Sequence, residues 1–98
     1  MENTIAPLYG LAKTTAQHLV ASFDGHGGPR EKLTAVLAGV LNTLCANADR
    51  MTPTEAFAIA LARDTLTQIP PCALLRDDVE ALAGLVNSAC QIGSTRDS

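Results

Sequence analysis

The chain has 98 residues, of which 47% are hydrophobic and 3% aromatic, with no tryptophan and a formal net charge of -3. That length fits one small domain that buries a modest fraction of its surface. Its seven basic residues are scattered, so it lacks the basic patch that direct binding of nucleic acid requires. No apolar run approaches the roughly 20 residues of a bilayer-spanning helix, so a membrane partner is not expected either.

Tyr9, Phe23 and Phe57 are the whole aromatic set, so the core has to be built from Leu, Val, Ile and Ala. Such a composition favours helices that approach closely through small side chains. The expected fold class is therefore all-α, a compact bundle of about four helices with short turns. It should form a single helical domain over residues 1–98, with the tail from Gly93 to Ser98 frayed. Met1-Glu2-Asn3 offers no basic region ahead of an apolar segment, and the expected location is the cytoplasm.

The first helix is expected from Pro7 to Phe23. Ile5, Leu8, Ala12, Ala16, Leu19 and Phe23 share one stripe, with Lys13, Gln17 and Asp24 opposite. His18 falls toward the polar side, where a solvated imidazole is the ordinary outcome. Asp24-Gly25-His26-Gly27-Gly28-Pro29 then reads as a turn, with Pro29 opening the next helix. Its His-Gly-Gly has no G-x-S-x-G elbow or strand pattern to accompany it, so an oxyanion-hole role is set aside. His26 is a candidate rim contact to a partner, because binding residues often sit on loops.

The second helix is expected from Arg30 to Ala46. Leu33, Val36, Leu37, Val40, Leu41 and Leu44 form a continuous aliphatic stripe, and Ala35, Ala38, Gly39, Asn42 and Ala46 make a second face of small residues. That second face suits either tight packing within the chain or contact with another chain. Asn47 to Arg50 is a polar connection.

The third helix has the clearest start. Thr52 supplies an N-cap oxygen, Pro53 fits the first helical position, and Glu55 completes a capping box. At 100° per residue Phe57 and Leu61 fall on one side, and Ile59, Leu66 and Ile69 on the other. A helix so apolar is expected to be covered on several sides, within a bundle or at a subunit interface. Pro70 and Pro71 stop it after Gln68.

A last helix is expected from Ala73 or Arg76 to Gln91. Leu75, Val79, Leu82, Val86 and Ala89 line one face, with Leu74, Leu85 and Ile92 on a second. Asp77, Asp78 and Glu80 near its start suit the helix dipole, and neighbours about 100° apart on a helix cannot share one ion unaided. Cys45, Cys72 and Cys90 are too widely spaced for a C-x-x-C pair, and reduced thiols are expected. Cys45 and Cys90 suit small apolar positions, while Cys72 is the least clearly buried.

No catalytic, metal or cofactor motif emerges, and the chain is not expected to be an enzyme. Several double-faced helices carry more apolar surface than a short chain easily hides. The expectation is a small regulatory protein that acts through protein-protein contact, covering an apolar helix or dimer interface of a larger partner. An antiactivator of a transcriptional regulator is one concrete form, with the chain itself a homodimer. A secretion or assembly chaperone, or a structural subunit, is the alternative. Phe57, Leu61, Leu66 and Leu85 are the expected apolar contacts, with Arg63 and His26 on the polar rim.

Overall fold

A computed structural model describes residues 6–25 and 29–96. Four α-helices make up the described chain: α1 (Ala6–Ser22), α2 (Arg30–Ala46), α3 (Pro53–Gln68) and α4 (Arg76–Arg96). Short 3-10 turns at Ala48–Arg50 and Pro71–Ala73 join α2 to α3 and α3 to α4. The all-α bundle expected from composition is what forms.

The helices begin and end for local reasons. Pro29 sits in extended geometry before α2, and Thr52 accepts a hydrogen bond from the Glu55 N–H at 3.2 Å while Glu55 Oε1 accepts from the Thr52 N–H at 2.9 Å. The capping box therefore closes in both directions. Ile69 ends α3 with φ -108° and ψ 122°, the extended conformation that a following proline imposes. Gly25, with φ 87°, makes the turn after α1 in a region that side-chain-bearing residues avoid. At its C-terminal end α4 runs past Gln91 and through Gly93 to Arg96, because no proline or left-handed residue intervenes to end it.

Packing follows a ring: α1 touches α2, α2 touches α3, α3 touches α4, and α4 returns to α1. Three contacts fix the helix directions. Arg30 at the start of α2 stands 3.9 Å from the centroid of the Phe23 ring, just beyond the end of α1. Arg76 at the start of α4 pairs with Asp24 at 2.9 Å, again at the end of α1. Tyr9, early in α1, donates its hydroxyl to Glu55, early in α3, at 2.8 Å. Hence α1 and α3 run parallel across the diagonal, and α2 and α4 run against them.

The core is aliphatic and alanine-rich. Leu19, Leu37, Leu41, Leu44, Ile59, Val79, Leu82 and Val86 are fully buried, and Ala12, Ala16, Ala62 and Ala89 let the backbones approach. Five positions depart from the periodic expectation. Tyr9, which the expected α1 stripe does not include, joins Ala12 and Ala16 in the core. Thr34 is buried and donates to the Arg30 carbonyl at 2.7 Å, while Val36, on the flank of the α2 stripe, stays 48% exposed. Leu74 is buried and Leu75 exposed, the reverse of the expected order, because both precede α4 and helical spacing does not govern them.

Glu55 is completely buried, and each carboxylate oxygen has a donor: the Thr52 N–H on Oε1 and the Tyr9 hydroxyl on Oε2. Among the described residues no buried side-chain nitrogen or oxygen lacks a partner. A buried acceptor deprived of its donor bears a desolvation cost that an exposed one does not. Tyr9→Phe is therefore expected to destabilise the fold by about 1.5–3 kcal/mol, measured by urea unfolding. Glu55→Ala should cost more, since it also dismantles the capping box, and Glu55→Gln less than Glu55→Ala. Unchanged stability of Tyr9→Phe would show that the hydroxyl does not support the carboxylate.

Candidate interaction surface

Large apolar side chains stay exposed at five described positions: Leu11, Val36, Phe57, Leu61 and Leu75. Two of them share one helix line. Phe57 is 67% exposed and Leu61 39%, and their four-residue spacing stacks them on consecutive turns of α3. The buried set of α3, Glu55, Ala58, Ile59, Ala62 and Leu66, faces the opposite way. The two-sided split expected for α3 therefore exists, but only one side is covered, because a helix in a four-membered ring keeps an outward face.

The expected contact residues separate accordingly. Phe57 and Leu61 lie on the outward face. Leu66 is 4% exposed and belongs to the core, so it is not part of that surface. Arg63 is half-buried and binds the Asp64 carboxylate at 3.2 Å, at the border between the inward and outward faces. Leu85 is half-buried against the core on α4. His26 lies outside the described residues. Sequence reasoning gave no place on the surface to Leu11 or Leu75, both of which are exposed; Leu75 would have been found only by knowing that α4 starts after it.

The outward line of α3 is chemically simple. Thr54, Phe57, Leu61, Asp64 and Gln68 follow one another at three- and four-residue steps, and Asp64 is the one ionisable side chain among them. The small-residue face of α2 is also uncovered: Ala35, Gly39, Asn42 and Ala46 are exposed, and a Cβ built on Gly39 would meet no atom within 4 Å. Of the same face, Ala38 alone is half-buried and packs against the core.

Other chemistry is sparse. The Cys72 thiol is exposed, with Cys45 and Cys90 half-buried, and all three are free. His18 is exposed on α1. Among the described residues no three His, Cys, Asp or Glu side chains come together in a way that could hold a metal ion. The acids at the start of α4 act locally: Asp78 accepts from the Leu75 N–H at 3.3 Å, and Glu80 accepts from Arg76 at 3.3 Å. None of the described helices is long and apolar enough to cross a membrane.

Because space around Gly39 is open and its backbone is helical, Gly39→Ala should raise stability by about 0.5–1 kcal/mol in urea unfolding, the ordinary gain from removing glycine from a helix interior. A loss of stability would mean that another backbone rests on this face. No protein-family model, no curated protein and no solved structure matches this chain, so its surfaces are the available guide to function.

Proposed function

We propose that this chain is a small cytoplasmic regulatory protein that works by covering an apolar helix of a larger protein. The observation that carries the reading is the exposure of Phe57 and Leu61 on one outward line of α3, beside a core that is otherwise closed. Aromatic and large aliphatic side chains supply most of the binding energy once they are desolvated, and a helix presenting them at i and i+4 suits a helical partner surface. With no basic cluster in its sequence, the chain would act on a partner rather than on nucleic acid. The concrete form is an antiactivator: masking the dimerisation helix of a transcriptional regulator removes its ability to bind DNA.

Affinity capture from native lysate, read by mass spectrometry, tests this. The wild-type chain should retain one DNA-binding regulator, and Phe57→Asp and Leu61→Asp should each reduce its recovery more than tenfold while circular dichroism stays helical. Equal recovery with the variants, or no reproducible regulator, would overturn the reading. Recovery of an export substrate instead would move it to a secretion chaperone.

A further inference from the structure

We draw no further inference here: the strongest candidate, the outward apolar line of α3 at Phe57 and Leu61, belongs to the surface already described, and nothing in the structure shows what covers it.

Discussion

The bundle depends on how Glu55 is buried. Its backbone N–H and one oxygen close the capping box with Thr52, which fixes where α3 begins, and its other oxygen takes the Tyr9 hydroxyl from the diagonal helix. Alanine-lined aliphatic helices offer one another smooth surfaces that differ little from turn to turn. Sliding α1 by a turn against α3 would separate Tyr9 from Glu55 and leave a carboxylate in the core without that donor, at a cost that aliphatic contacts cannot offset locally. One of the three aromatic residues is thus spent on register as much as on apolar volume. Surface pairs such as Arg76–Asp24 close the opposite end, but at 48% exposure on both sides they contribute little to stability.

A ring of four helices explains both the closed core and the open face. Ala12, Ala16, Ala62 and Ala89 bring the helices close, so four aliphatic stripes suffice to exclude water from the centre. Each helix then keeps an outward side, and on α2 and α3 that side includes apolar or small residues: Ala35, Val36 and Gly39 on the one, Phe57 and Leu61 on the other. Phe57 is the clearest case: a side chain of that size is exposed only where no fifth helix covers it.

The fold was legible in particular residues. Thr52, Pro53 and Glu55 marked the start of α3, Pro70 its end, and Pro29 the start of α2, because caps and prolines act through local backbone geometry that neighbours do not alter. The separation of Phe57 and Leu61 from Ile59 and Leu66 was equally readable, since it follows from helical spacing alone. Leu74 and Leu75 were not, because periodicity carries no information outside a helix. Glu55 shows the limit most clearly: its capping role is local, but nothing near it in sequence announces the tyrosine 46 positions away that allows it to be buried.

For the candidate surface the division is the same. The sequence by itself determined that the chain is helical, where its central helices begin, and that α3 has two apolar sides, all of which depend on contacts within a few residues. Only the tertiary structure decided which of those sides is covered. Burial depends on which helix stands opposite, and the ring order places α2 and α4 beside α3, with Tyr9 of α1 reaching across the diagonal. That arrangement puts Leu66 inside and leaves Phe57 and Leu61 facing outward.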